Sequence, residues 1–353
     1  MDLLMVAQPT GLWESILFGI EAGVGNYAVT IILITLMIKL VLLPLDFGNK
    51  LVTKRNSIKQ AEMAPEMEKI KKRYGNNKEL LNKKTMELYK SKNYSIGGMC
   101  GMMLGYMAVT MLVFFTLLGS LNNVSYYKMY TEYESVRTVY DIAYTETIEA
   151  GQIGEGYETI EAYADKVAGD KTVEEYANIK TGFLWIKNIW RPDTSNSPIM
   201  KYKDFANNVS KLKLKGLEIP EEAEYNKVMG ALMKSEEYSG WNGYYILCII
   251  AAASTFASLY INTLISKHKK KKIVLDPTMQ ATETSNKTMM IIMPIIMGVF
   301  TLAYTASFGI YIVTGSLFGL ASNAATGVLV DKIVDKKIAK EKQLTRNSYD
   351  RKN

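Results

Sequence analysis

The chain is poor in the side chains that most catalytic chemistry uses. One histidine, His268, stands in 353 residues, and it lies in a lysine run. That excludes histidine-based metal clusters and Ser–His or Cys–His nucleophile pairs, and no metal or cofactor is expected. The two cysteines, Cys100 and Cys248, both lie within apolar stretches, which excludes a disulfide scaffold. No phosphate-cradling glycine loop is present. Charge is missing from long segments, and none occurs between residues 288 and 330. Disorder is excluded in turn by a 48% apolar content.

What is present is apolar residues gathered into blocks. Five of them, 27–45, 99–121, 243–265, 289–305 and 308–330, are each long enough to cross a hydrocarbon core of roughly 30 Å at about 1.5 Å per residue. The uncharged run from 288 to 330 would be roughly 64 Å as one helix, so it has to turn back. Ser307-Phe308-Gly309 is the expected corner. The fold class is therefore an all-α polytopic membrane protein with five spans.

Charge separates as sharply as hydropathy. The net +7 of the chain is gathered in 46–98, in 266–288 and in the tail 331–353, whereas 1–26 and 123–240 are net negative. With five spans all three basic segments share one side, which by the positive-inside rule is the cytoplasm. The N-terminus is then outside and the C-terminus inside. Residues 1–25 carry no positive leader and no small-residue cleavage site, so no removable signal peptide is expected. Leu12, Trp13, Ile16, Leu17 and Ile20 recur at helical spacing with Glu14 and Glu21 off that face. An amphipathic helix on the outer interface and a frayed extension both fit this pattern.

The connecting segments differ in kind. In 46–98 two helical stretches flank Gly75-Asn76-Asn77, with Met67, Ile70 and Tyr74 on one face of the first and Leu81 and Leu88 on one face of the second. This predicts a cytoplasmic helical hairpin with a thin apolar seam. The segment 122–242 holds short helical stretches at 126–150, 157–168, 173–179 and 221–235 and reads as an extracellular, mostly helical insertion. It has 12 of the 23 tyrosines, which suit partner binding or simply a structural insertion. The tail suits a solvated topology signal, RNA or anionic lipid equally.

Lys39 is the most informative residue. It is the one Asp, Glu, Lys or Arg inside any of the five blocks. At a helix centre such a side chain costs about 2.5–3.5 kcal/mol, so it faces a wet cavity or snorkels to the interface. Thr35 lies one turn away. Ser254, Ser258 and Asn262 repeat every four residues in the third block, and Tyr311, Thr314, Ser322 and Asn323 are polar in the fifth. Three polar stripes around one hydrated groove is the functional reading, and helix–helix hydrogen bonding is the structural one. Gly97, Gly101 and Gly105 in the second block read as a close-packing face. A positive groove lowers the barrier for a polar segment entering the bilayer, with no need for a nucleotide.

These residues stand in a familiar order. The run Asn26-Tyr27 followed by 32–45 resembles the first core span of the YidC family of membrane protein insertases. Met63-Ala64-Pro65-Glu66-Met67 through Tyr74-Gly75, then 86–90, is similar to that family's cytoplasmic hairpin. Phe183-Leu184-Trp185-Ile186-Lys187-Asn188-Ile189-Trp190 with Pro192-Asp193 resembles its outer segment before the third core span, and 293–297 resembles its fourth. The resemblance implies insertion of nascent membrane proteins into a bacterial cell membrane, alone or beside the Sec translocon. It also implies a ribosome partner for the hairpin and basic tail, with anionic lipid and no DNA. Lys39 occupies the groove position where the family usually carries arginine. The resemblance makes Trp185 and Trp190, with Trp13, anchors at the outer interface. A small-solute transporter or channel is the competing reading, but paired intramembrane charges and an inverted repeat are absent from the sequence.

Overall fold

The computed structural model describes residues 7–92, 94, 96–267 and 277–350, with the side chains at 96–100, 262–267, 277–286, 341–342 and 344–350 outside that description. The described residues form ten helices, α1 (Leu12–Val24), α2 (Tyr27–Tyr74), α3 (Lys78–Ser91), α4 (Ile96–Ala150), α5 (Ile160–Ile179), α6 (Tyr202–Val209), α7 (Glu222–Lys234), α8 (Ile246–Lys267), α9 (Pro277–Ala303) and α10 (Ala306–Asp350). Among them α2, α4 and α10 contain segments long and apolar enough to cross a membrane, and α8 and α9 hold shorter apolar helices. The molecule is an all-α membrane protein.

Three helices are longer than any bilayer requires. α4 has 55 residues and would measure roughly 80 Å, so the expected break between 121 and 126 does not occur. α5 is likewise one helix where two were expected, and α6 had no signal of its own in the sequence. α2 runs through Pro44 and Pro65, each of which removes one ladder hydrogen bond. The basic tail continues α10 as helix to Asp350.

The chain forms two compact units. The first comprises residues 1–35, 115–252 and 297–313. Here α1 lies against α4, with Trp13 Nε1 donating to Thr116 Oγ1 at 3.0 Å and Lys128 paired with Glu21 at 2.7 Å. Glu14, expected to face water, is buried and accepts from Asn123 Nδ2 at 3.1 Å. α7 packs on α5 and α6, and Gly169 lets α5 approach so closely that an added Cβ would stand 2.9 Å from Ala231. The tyrosines are this unit's core. Tyr133 stacks on Tyr225 at 5.2 Å, Phe205 lies 4.7 Å from Tyr225, and Tyr176 meets Tyr238 edge-on at 5.0 Å.

The corner between the last two apolar helices is at Tyr304-Thr305, not at 307–309. Ser307 and Gly309 are inside the first turn of α10, and their roles are different from those of turn residues. The amides of Ala306 and Ser307 donate to the carbonyls of Arg191 and Ile189 at 2.8 and 3.1 Å. Gly309 allows Leu247 of α8 to come close, since a Cβ there would meet Leu247 Cδ2 at 2.4 Å.

The second unit comprises residues 36–114, 253–296 and 314–353. Its hairpin turns at Asn77, whose side chain accepts from the amides of Glu79 and Leu80, both at 3.1 Å. Met63, Met67, Leu88 and Tyr94 bury one small cluster, flanked by Ile70 and Tyr89. Lys92 pairs with Glu66 at 2.8 Å across the seam.

Candidate functional site

Six of the seven groove candidates are described. In the second unit Lys39 is half-buried, Ser254 is buried, and Ser258 and Thr314 are half-buried. Thr35 and the half-buried Tyr311 belong to the first unit. Thr35 is buried, and its hydroxyl donates to Ile31 carbonyl at 2.6 Å, closing on its own helix. The side chain of Asn262 lies outside the described residues.

In the second unit α10 touches both α8 and α2 through polar groups. Toward α8, Thr255 and Ser316 share a hydrogen bond of 3.1 Å, and a Cβ at Gly319 would stand 3.2 Å from Ser258 Oγ. Toward α2, Lys50 Nζ donates to Asn323 Oδ1 at 2.5 Å and Thr326 Oγ1 at 3.0 Å. The same ammonium pairs with Asp46 at 2.5 Å, and Lys54 pairs with Asp331 at 2.7 Å. Tyr106 of α4 hydrogen-bonds Asp46, and Asp46 is also the charge that Lys39 feels.

Positions 39, 46, 50 and 54 are seven, four and four residues apart, which places all of them on one stripe of α2. The stripe reads positive, negative, positive, positive. Lys39 is the member of this charged ladder inside the block 27–45, and the ion pairs of Asp46, Lys50 and Lys54 lie beyond it. The signal was available in the heptad spacing of Lys39 and Asp46. It was missed because Asp46 was placed one residue past the end of the first span.

The outer-segment motif is a hydrogen-bonded knot in the first unit. Asn242 Oδ1 accepts from the amide of Asn188 at 2.9 Å, and its Nδ2 donates to the carbonyls of Asn188 and Pro192 at 2.8 and 3.0 Å. Asn188 Nδ2 in turn donates to Tyr176 Oη and to Pro198 carbonyl. Asp193 Oδ2 accepts the amide of Leu247 at 3.0 Å and caps the N-terminus of α8. Burial pushes the Asp193 carboxyl up, opposed by the amides of Leu247 and Cys248.

Trp190 is not an interfacial anchor. It is 1% exposed, its ring lies 4.8 Å from that of Tyr27, and its Nε1 donates to Glu132 Oε1 at 2.6 Å. Burial pushes Glu132 up to about 8, against the pull of that hydrogen bond and of Lys128. Trp185 is half-buried with its indole toward Asp193, and Trp13 keeps a partly exposed ring. The packing face ascribed to glycines is also corrected. Gly101 and Gly105 are exposed, and a Cβ at either would meet nothing within 4 Å, while the side-chain surroundings of Gly97 lie outside the described residues. Close approach occurs instead at Gly309 and Gly319. Among the described residues no cluster of His, Cys, Asp and Glu could hold a metal ion.

A multi-pass membrane protein whose first apolar block carries one lysine and runs on into a charged stripe is the class that these observations define. The model of the 60Kd inner membrane protein family matches residues 19–330, and the chain belongs to that family, that of the YidC proteins. Similar curated proteins include "Membrane protein insertase YidC" of Fusobacterium nucleatum, 40% identical over 77 residues, which are 22% of this chain and 36% of the relative. The protein of the same description from Clostridium perfringens is 36% identical over 112 residues, 31% of this chain and 44% of the relative. That from Methylobacillus flagellatus is 34% identical over 118 residues, 33% of this chain and 20% of the relative. The chain thus spans less than half the length of these relatives in each match.

Proposed function

We propose that this protein is a membrane protein insertase whose clients are nascent membrane proteins. The observation that carries the reading is the charged ladder on α2. Lys39, Asp46, Lys50 and Lys54 form a polar path from the apolar part of α2 into its charged part, backed by Asn323, Thr326 and Asp331 of α10. The names of the relatives support the same reading.

In this mechanism the five apolar segments span the membrane, with the N-terminus outside and the basic segments in the cytoplasm. The polar segment of a client meets the ladder in place of bare hydrocarbon, where each unsatisfied group would cost several kcal/mol. Lys39 attracts acidic and polar groups into a groove shared, within the second unit, with Ser254, Ser258 and Thr314. Asp46 keeps the unoccupied groove from holding an uncompensated charge. The client's own apolar helix supplies the driving force as it enters lipid, so no nucleotide is hydrolysed and no bond is made or broken. The hairpin of α2 and α3 and the basic end of α10 are the ribosome-facing elements, with anionic lipid as a second partner of the tail. The Sec translocon is the lateral partner for longer clients.

The test is insertion of a single-span client with an acidic translocated tail into liposomes holding wild type, Lys39→Arg or Lys39→Ala at matched levels. Wild type and Arg insert, and Ala loses about tenfold, as expected when about 1.4 kcal/mol of stabilisation is removed. Equal insertion by all three confines Lys39 to snorkelling. No gain over empty liposomes overturns the insertase reading, and ion flux in the same vesicles then tests a channel.

A further inference from the structure

Among the described residues, three positions without glycine adopt the left-handed conformation: Leu184 at φ 53°, Tyr244 at φ 61° and Tyr245 at φ 64°. Large side chains visit this region rarely, and such strain persists only where surrounding contacts over-determine it. At all three the result is an apolar or aromatic side chain turned outward. Leu184 is 75% exposed, and Tyr244 and Tyr245 are 57% and 42% exposed, beside Trp241 at 42%.

The four residues share one end of the first unit. Leu184 is at the tip of a tight turn closed by the reciprocal hydrogen bonds of Phe183 and Ile186, both 2.9 Å. Lys187 fastens that turn to the strand of chain carrying Trp241. Its amide donates to Asn242 carbonyl at 3.0 Å, and its Nζ donates to the carbonyls of Glu237 and Ser239. Lys180, paired with Glu237, and Lys187 line a cleft of about 410 Å³ with Phe183, Leu184 and Ile186. Two residues after Asn242 the tyrosines lead directly into α8, whose Ile246 and Ile249 are exposed and apolar. The amide donors that begin α10 are held by Ile189 and Arg191, a few residues after the same turn. The turn is therefore level with the ends of two apolar helices.

We propose that Leu184, Trp241, Tyr244 and Tyr245 form a lipid-interface anchor, with Lys180 and Lys187 beside lipid phosphates at the headgroup level. The occupant is the bilayer itself. The exposed patch continues without a break into the apolar surface of α8, aromatic rings with one polar edge suit the interface, and two ammonium groups flank it on one side. Of the two tryptophans that the family motif suggested for this role, Trp190 is unavailable because it is buried and Trp185 is half-buried. The inference depends on membrane residence and not on insertase activity.

The test uses full-length protein in phosphatidylcholine and phosphatidylglycerol vesicles, with Cys100 and Cys248 replaced by Ala. Single cysteines replace Leu184, Trp241 or the exposed Glu155 and carry an environment-sensitive fluorophore. Lipids brominated high on the acyl chain should quench the label at 184 and at 241 at least twofold, and iodide should quench only the label at 155. Labels at 184 and 241 that are open to iodide and blind to brominated lipid overturn the proposal. Labels shielded from both quenchers also overturn it, since a protein would then be the occupant. The two reporter positions keep the result readable if one variant misfolds, and insertion assays on the unlabelled variants are read separately.

Discussion

A single carboxylate illustrates how strongly position overrides residue type. Glu132 is one of 20 acidic residues in a polar insertion, yet its carboxylate is in the interior against Trp190 and is pushed up to about 8. A folded-state value above the ordinary one means that the folded protein holds a proton which the unfolded chain has released. Stability from this group is therefore complete below pH about 4.5 and is lost as pH rises toward 8. The thermal midpoint of the detergent-solubilised protein should fall between pH 5 and 8. Glu132→Gln keeps an acceptor for Trp190 and should flatten that dependence, and an unchanged slope assigns it elsewhere. Nothing in the sequence around Glu132 separates it from Glu134, which is also pushed up by burial but neighbours Arg137. The difference is made by Trp190, 58 residues away.

Helices show which features are local and which are not. The hairpin was legible because Asn77, Met67 and Leu88 act within one stretch of chain, through a cap and an apolar seam. The corner before α10 was misplaced because glycine and serine serve two purposes. Ser307 and Gly309 look like turn formers, but one donates to Ile189 and the other admits Leu247. The glycines at 101 and 105 have the regular spacing of a packing face and pack against nothing within 4 Å. The same substitution separates the two kinds. Gly309→Leu should destabilise by about 1–3 kcal/mol, the range for overpacking, whereas Gly101→Leu should leave the thermal midpoint unchanged. Equal effects at both positions would erase the distinction. Among the groove candidates, Lys39 stands out in the sequence from its cost in lipid and Asp46 from its heptad spacing, whereas the Lys50 pairs with α10 needed the fold. Span-by-span reading assigns each residue to one side of a boundary, and the ladder crosses that boundary.

For the whole molecule, fold class was legible because bilayer thickness imposes a length that few other structures require. The order of the insertion was not, since its core is a tyrosine cluster made by residues far apart in the chain, such as Tyr133 with Tyr225. Sidedness rests on charge, and it makes a direct prediction. Cells expressing Lys83→Cys or Glu155→Cys, both exposed positions, are treated with a membrane-impermeant thiol reagent from outside. Cys at 155 should react in intact cells and Cys at 83 only after lysis. The reverse pattern would invert the topology and with it the assignment of the hairpin to the ribosome.

The seat of α10 also sets a timetable. Ser307 hydroxyl docks on Ile189 carbonyl across 118 residues of chain. The carbonyls of Ile189 and Arg191 are made first, and their partners leave the ribosome about 6–24 s later at ordinary synthesis rates of about 5–20 residues per second. During that interval the two acceptors lack the donors that α10 brings. Biogenesis of this protein therefore includes a waiting period in which the outer segment stands without the helix start that later seats on it.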